Sequence, residues 1–387
     1  MSRRTNFQRA ICLAVIVLGG AVASTALAAQ PGPELLRVPD DGVQPQTLVS
    51  GDGTVHVMFL KGAQDAADVW YARRPKGAAS FTKAVRVNAQ PGSAIAVGTI
   101  RGAQFATDGA GIPFVVWNGS GKSTVHTGAP LWFSRGRADG SFEPERDVIR
   151  TTAHLDGGGS VALGKPGQIF TVWHSAPPDM AGETNRGVFM SASSDSGATF
   201  SGEVRIDRPG DGVCACCGLR ALGRGDGTLA VLYRSAGEGG DFRDMTLLLR
   251  SGKDGEVRRV VLDRWSLRSC PMSSSSLAWS GENLMAAWET RDEVRLALVD
   301  VATGVPVRID SPSGTGKRKH PSLGLGARGE FLLAWVEDTG WNRGGSVGWQ
   351  GYDAQGHATD MRGLREGVPV WGLASAFAVG GDFGVIY

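Results

Sequence analysis

The sequence predicts an all-β protein, a β-propeller built of four-stranded blades, and three observations carry that expectation. The first is composition. In 387 residues there are 57 Gly and 18 Pro with 11 Trp and 14 Phe, a mixture that marks tight turns between short aromatic-bearing strands and speaks against a helix bundle. The second is a repeated unit: an apolar strand, a Gly-rich turn, and a second apolar strand that ends on an aromatic residue. Those aromatics are Phe59, Trp117, Trp173, Tyr233, Trp288, Trp335 and Tyr387, spaced 47 to 60 residues apart. A sandwich array of immunoglobulin type needs a period of about 100 residues, so it does not fit. The third is that such a pair leads into a third strand, such as DVWYARR (68–74), and then a fourth, such as AVRVN (84–88). Four strands per repeat is the content of a propeller blade.

The elements come in chain order. Arg3, Arg4 and Arg9 precede an apolar run from Ala10 to Ala23, and Ala26-Leu27-Ala28 supplies the small residues of a cleavage site, so residues 1–28 read as a signal peptide. The mature chain, 29–387, is then a single propeller domain, expected in the periplasm or outside the cell. Ser2-Arg3-Arg4 also hints at twin-arginine export, although Phe7 stands one place later than that pattern wants. No later stretch is long and apolar enough to span a bilayer. Lys plus Arg (40) nearly balances Asp plus Glu (38), which argues against a nucleic-acid partner.

Seven inner strand pairs are accompanied by only six third strands. Near the new N-terminus, Leu35 to Pro39 matches the fourth-strand pattern without preceding partners. The N-terminal strand is therefore expected to complete the blade begun by the C-terminal pair, giving seven blades and removing exposed sheet edges. A six-bladed ring with a folded-back tail is the alternative.

Ser193-Ser194-Asp195-Ser196-Gly197-Ala198-Thr199-Phe200 fits S-x-D-x-G-x-T-F. In such a turn the Asp carboxylate accepts backbone N–H groups, Gly takes the unusual backbone angle, and the aromatic anchors the turn between strands. The segment resembles the Asp box of the sialidase superfamily, with Ser193, Asp195, Gly197, Thr199 and Phe200 as its structural residues. Degenerate copies end at Phe81 and Phe142. Strand direction puts these turns on one face. The longer loops after the second and fourth strands lie on the other, where function is expected.

Four cysteines remain after export. Cys214, Cys216 and Cys217 share one functional-face loop, and Cys270 lies in the equivalent loop of the next blade. An even number in an exported chain favours two disulfides, with Cys270 joined to the triplet loop and a second bridge inside that loop. The other reading is a soft-metal site for copper, using Cys214, Cys216, Cys217, Cys270 and Met272. The C-x-C-C loop with its later W-x-L-x-x-C-P-M segment also resembles a group of exported bacterial sialidase-like propellers.

The resemblance to sialidases implies a Tyr nucleophile assisted by an acid, an Asp acid/base and three arginines gripping a carboxylate. On this sequence those roles fall to Tyr233 with Glu238 and Asp241. Arg220, Arg234 and Arg243 would bind substrate, and Trp265 would stack on a sugar ring. Tyr233 also occupies the repeat slot of the terminal aromatics, where packing is the competing role. Leu36-Arg37-Val38-Pro39 imitates the superfamily's Arg-Ile-Pro segment, but the repeat makes it an outer strand, out of reach of a central pocket. Trp341 lies on a functional-face loop, and Lys317 to His320 reads as a solvated basic loop. The expected function is an exported propeller that binds a glycan or protein through its loop face. The alternatives are a sialidase-type glycoside hydrolase and a copper-handling protein.

Overall fold

The structure is a computed structural model that describes residues 32–387; the signal segment read at 1–28 lies outside the described residues. Among the described residues no helix is long and apolar enough to cross a membrane. Seven sheets form a closed ring. Six are four-stranded, antiparallel, and laid down in chain order from the inner to the outer edge, as in blade three: Ser160–Leu163, Ile169–Ser175, Gly187–Ser193 and Val204–Arg205. The inner strands are Val43–Val49, Gln104–Thr107, Ser160–Leu163, Arg220–Gly223, Ser276–Ser280, Arg318–Leu325 and Ser375–Val379, numbered here as blades one to seven. Each adjoins the next, and blade seven returns to blade one.

The closing blade is the composite one expected, completed by the N-terminal strand. It has three strands, with Glu34–Leu36 lying directly against Asp382–Ile386 in parallel, Leu35 opposite Val385. The reason is directional. A fourth strand runs the same way as a second, because both lead back to the loop face. The N-terminal segment keeps that direction, but with no third strand between them the two pair in parallel. Tyr387 N–H donates to Leu36 O at 3.0 Å, and the Arg37 guanidinium stacks 4.2 Å from the Tyr387 ring centroid. Arg37 thus sits at the outer edge.

The core is divided into seven apolar layers, one at each junction between blades. A blade buries both of its faces, so its second strand carries apolar side chains to either side and reads as a continuous apolar run. The repeat-ending tryptophans pack toward the preceding blade: Trp117 against blade one, Trp173 against blade two, Trp288 against blade four. Period and slot reflect one constraint, that a wedge-shaped gap must be filled seven times.

The Ser193–Phe200 turn shows the anticipated bonding. Asp195 Oδ1 accepts Thr199 N–H at 2.9 Å, Oδ2 accepts the Thr199 hydroxyl at 2.6 Å, and Ser193 Oγ accepts Gly197 N–H at 2.8 Å. The hydroxyl and backbone donors, Thr199 first, hold the Asp195 carboxyl far below its ordinary pKa. Gly197 has φ +82°, and a Cβ there would lie 2.8 Å from the Phe133 ring. Phe200 meets Phe133 edge-on at 5.0 Å, tying blade three to blade two. The turn lies on the face away from the long loops.

Candidate functional site

The inner strands enclose a channel of about 440 Å³. Its loop-face end is lined by Gln46, Ser160, Arg220, Ser276, Ser322 and Ser375, while Leu163, Trp279 and Leu325 line the other end. The polar groups are largely committed to closing the ring. Gln46 Oε1 accepts Phe105 N–H at 3.0 Å, Ser160 Oγ accepts Ala221 N–H at 2.9 Å, and Ser276 Oγ accepts Leu323 N–H at 3.1 Å. Ser322 Oγ accepts Ala376 N–H at 2.9 Å and Ser375 Oγ accepts Thr47 N–H at 2.9 Å. The two remaining junctions are bridged by the Ser160 hydroxyl donating to Gln104 Oε1 at 2.6 Å and by Arg220 Nε donating to Ser275 O at 3.4 Å. Each first strand is thereby stitched to its neighbour by a side chain, where no ladder hydrogen bond is available.

A plug closes the loop-face mouth. The connection between blades one and two carries residues 96–102 across the channel axis, touching blades that are not its neighbours. Ile100 O accepts Gly158 N–H of blade three at 2.9 Å, Thr99 Oγ1 lies 3.0 Å from His320 Nε2 of blade six, and Arg101 pairs with Asp156. The Gln44 amide fastens the plug from blade one, donating to Ala96 O at 2.7 Å and Gly98 O at 2.5 Å. Trp341 from blade six lies over Gly98, where an added Cβ would be 3.5 Å from its ring. That tryptophan is 49% exposed and is braced edge-on against Trp371 at 5.9 Å.

Two buried histidines serve this architecture. His320 Nδ1 accepts Ser274 N–H at 3.1 Å, which leaves Nε2 to donate to Thr99. A second ring proton would face that N–H. Burial, assisted by the Lys319 charge, lowers the His320 pKa to about 3. His174, whose ring nitrogens have no hydrogen-bond partner among the described residues, is lowered to about 3 by burial and then by the Arg186 charge. An unfolded His titrates at about 6.5, so between that value and 3 the unfolded chain binds more protons. Stability is therefore whole above pH 6.5 and lost as the pH falls. The expected slope is about 1.4 kcal/mol per pH unit for each histidine. Urea midpoints between pH 7 and 4 should show it, with a shallower fall in His320→Gln; a flat profile would contradict the burial of two neutral rings.

The cysteine loop lies beside the plug. Cys216 and Cys270 form a disulfide with Cα atoms 6.1 Å apart, joining the loops that lead into blades four and five. Cys214 and Cys217 are buried free thiols, their sulfurs 3.7 Å apart. Cys217 N–H donates to Cys214 O at 3.4 Å, which folds the four residues into a turn. Glu183, from blade three, clamps this loop: Oε1 accepts Ala215 N–H at 3.1 Å and Oε2 accepts Arg243 Nη2 at 2.8 Å.

The substrate-binding residues expected from the sequence are mostly absorbed by scaffolding. Arg234 is buried, its guanidinium 3.8 Å from the Glu289 carboxylate, and it donates to Arg243 O at 2.8 Å. Arg243 is engaged by Glu183, and Trp265 stacks beneath Arg234 at 5.2 Å, so neither presents itself to a ligand. Arg220 does line the channel, donating from Nη1 to Gln104 at 2.9 Å; no carboxylate pairs with it among the described residues, and burial lowers it to about 10. The three arginines do not converge.

Tyr233 is 1% exposed inside the layer between blades three and four. Burial, and after it the charges of Asp207 and Asp211, raises its phenol pKa well above the ordinary value, the opposite of activation. Asp241 pairs with Arg268 at 2.8 Å on the surface, and the Glu238 side chain lies outside what the structure describes. The Tyr233 hydroxyl makes no hydrogen bond among the described residues. Tyr233→Phe is therefore expected to be neutral or to stabilise by up to about 1 kcal/mol, read from denaturant midpoints. A loss of about 1 kcal/mol or more would reveal a missing partner. The basic run also differs from expectation. Arg318 begins the inner strand of blade six and is buried against Glu337 at 3.3 Å, because the ion pair and the carbonyls of Pro312 and Ser313 replace its water.

No protein-family model matches the sequence, and no curated protein matches it. Solved structures do. The chain is similar to the α-L-arabinanase of Penicillium chrysogenum complexed with arabinobiose, at 13% identity and TM-score 0.51, covering 84% of this chain and 96% of that one. It is similar to the α-L-arabinofuranosidase of Fusarium graminearum in complex with arabinobiose, at 10% identity and TM-score 0.51, covering 79% and 92%. It is also similar to the Trypanosoma rangeli sialidase, at 13% identity and TM-score 0.53, covering 78% of this chain and 53% of that one. The likeness is one of fold. The chain is a seven-bladed β-propeller, and its site must be argued from its own residues.

Proposed function

We propose that the protein is an exported propeller that binds a glycan at its loop face without hydrolysing it. The observation that carries this reading is Trp341, held edge-on by Trp371 and standing 49% exposed over the plugged mouth. A large aromatic surface left in water at the centre of the variable face suits stacking on the apolar face of a sugar ring. Export is supported by the Arg3, Arg4, Arg9 and Ala10–Ala23 segment together with the Cys216–Cys270 disulfide. Two fold neighbours are complexes with arabinobiose, which supports a saccharide as the ligand class. Binding is favoured over hydrolysis because the Tyr233 phenol is sealed in the core and Arg234 and Arg243 are held by Glu289 and Glu183.

The test is binding of the purified full chain to neutral and acidic oligosaccharides on an array, with calorimetry of the best ligand. Trp341→Ala should weaken binding by about tenfold or more, while Trp341→Phe keeps a larger share and Tyr233→Phe binds like the parent. Undiminished binding by Trp341→Ala overturns the reading. So does turnover of a fluorogenic sialoside or arabinofuranoside that disappears in Tyr233→Phe.

A further inference from the structure

We propose that the four cysteines form a redox-gated site for one soft d10 cation, with the Cys216–Cys270 disulfide as its closed, metal-refusing state. The inference is independent of the glycan reading. It starts from spacing. Cys214 Sγ lies 3.8 Å from Cys216 Sγ and 3.7 Å from Cys217 Sγ. Four thiolates arranged tetrahedrally at about 2.3 Å from a metal are separated by about 3.8 Å along each edge. Cys214 Sγ thus already stands from the sulfurs of both Cys216 and Cys217 at the separation that a shared cation imposes, and Cys270 is bonded to Cys216. A carboxylate oxygen of Glu183 and the sulfurs of Cys214, Cys216 and Cys270 all lie within 4.8 Å of one another, which adds a hard ligand at the rim of the soft set.

The setting favours a bound ion. Cys214 and Cys217 are buried, and their loop is fixed by bonds that do not involve sulfur: Cys214 N–H to Arg234 O at 2.9 Å, Gly218 N–H to Ser273 O at 3.1 Å, and Ala215 N–H to Glu183. Cys270 is exposed and Cys216 half-buried, so the disulfide is the part of the cluster that an outside thiol reaches. The buried pair has no role in the disulfide or the ring. Sulfur-rich, with one carboxylate at its edge, the set selects cuprous copper or zinc over hard cations.

Opening the site needs a reductant, and a dithiol supplies it. Its thiolate attacks the Cys216–Cys270 bond to give a mixed disulfide, and its second sulfur displaces the protein thiolate. The dithiol leaves as its own disulfide, and both electrons now reside on Cys216 and Cys270. Each cysteine that binds the cation releases its thiol proton to solvent. Reoxidation reverses the sequence and expels the ion. In either state a bond crosses from the loop of blade four to that of blade five, a disulfide in one and a metal bridge in the other, so loading need not disturb the propeller.

The experiment uses the full chain in two forms, as oxidised and after reduction with a phosphine that is then removed. Each form is titrated with zinc, or with cuprous ion buffered by a chromogenic chelator. Expected is one ion per reduced chain for at least one of the two metals, the tighter identifying the cation, with tenfold or weaker binding by the oxidised chain. Cys214→Ser and Cys217→Ser should each weaken binding by about tenfold or more, although neither residue is in the disulfide. Should those variants fail to fold, alkylation of the parent chain decides, because the ion must shield all four thiols of the reduced protein from iodoacetamide. Equal metal binding by both forms, no binding of either ion by the reduced form, or unshielded Cys214 and Cys217 would overturn the proposal.

Discussion

Replacing Arg234 by methionine is expected to cost about 3–5 kcal/mol of stability and to lower glycan affinity only through that loss. Both partners of the Arg234–Glu289 pair have side chains 1% exposed. Removing the guanidinium strands a carboxylate whose pKa is already raised, burial outweighing the charge of Arg234. It also empties the carbonyl acceptors of Arg243 and Glu289 and removes the cation stacked on Trp265. The pair itself need not be stabilising overall, since the desolvation of two ions is set against their attraction. The double variant Arg234→Met with Glu289→Met should therefore recover much of what the single one loses. Urea unfolding of the single and double variants measures this directly. If Arg234 were instead a ligand-gripping arginine, its replacement would abolish binding with little loss of stability, and that result would reverse the assignment.

Local pattern carries information about some elements of this chain and none about others. The inner strand pairs are legible because both faces of each blade are buried, so apolar runs and a closing aromatic recur whatever the loops do. The direction of Glu34–Leu36 is legible from its fourth-strand pattern. Its parallel register, Leu35 opposite Val385, is not, because it is set by contacts between segments far apart in the chain. The plug is hidden for a related reason. Residues 96–102 resemble any linking segment, and what fixes them are contacts with Gly158, His320 and Trp341, each distant in the chain. Arg318 and Arg234 escape the sequence in the same way, since nothing near either announces the carboxylates that bury them. Glu183, which fixes the cysteine loop, could be found only by asking which acid the loop after the second strand of blade three brings toward blade four. Tyr233 is the clearest warning. Its place in the repeat already names it a packing residue, and a repeat slot outweighs a catalytic residue type when the two conflict.

Deleting residues 32–37 is expected to open the ring, and the consequence should exceed the sum of the contacts removed. Those contacts are modest. Leu35 and Leu36 are only partly buried, in the layers on the two sides of blade seven, and Glu34 makes a two-pronged pair with Arg74 of blade one at 2.8 and 2.7 Å. Partial burial and the few strand bonds together contribute about 2–4 kcal/mol. Without the strand, however, Asp382–Ile386 becomes a bare edge in a two-stranded sheet, an arrangement marginal on its own and a template for pairing with other chains. The first strand of blade seven is stitched to blade one through Ser375 and Thr47, so this belt at the channel and what remains of the apolar layer of Val55, Phe59, Phe377 and Ile386 must then hold the ring closed. The deleted chain should unfold at markedly lower urea and form concentration-dependent oligomers, whereas Glu34→Gln, which loses only the ion pair, should remain monomeric and close to the parent. Sedimentation and urea titration at two protein concentrations separate the outcomes. A truncated chain that stays monomeric, with an unchanged midpoint, would mean that the belt rather than the N-terminal strand closes the propeller.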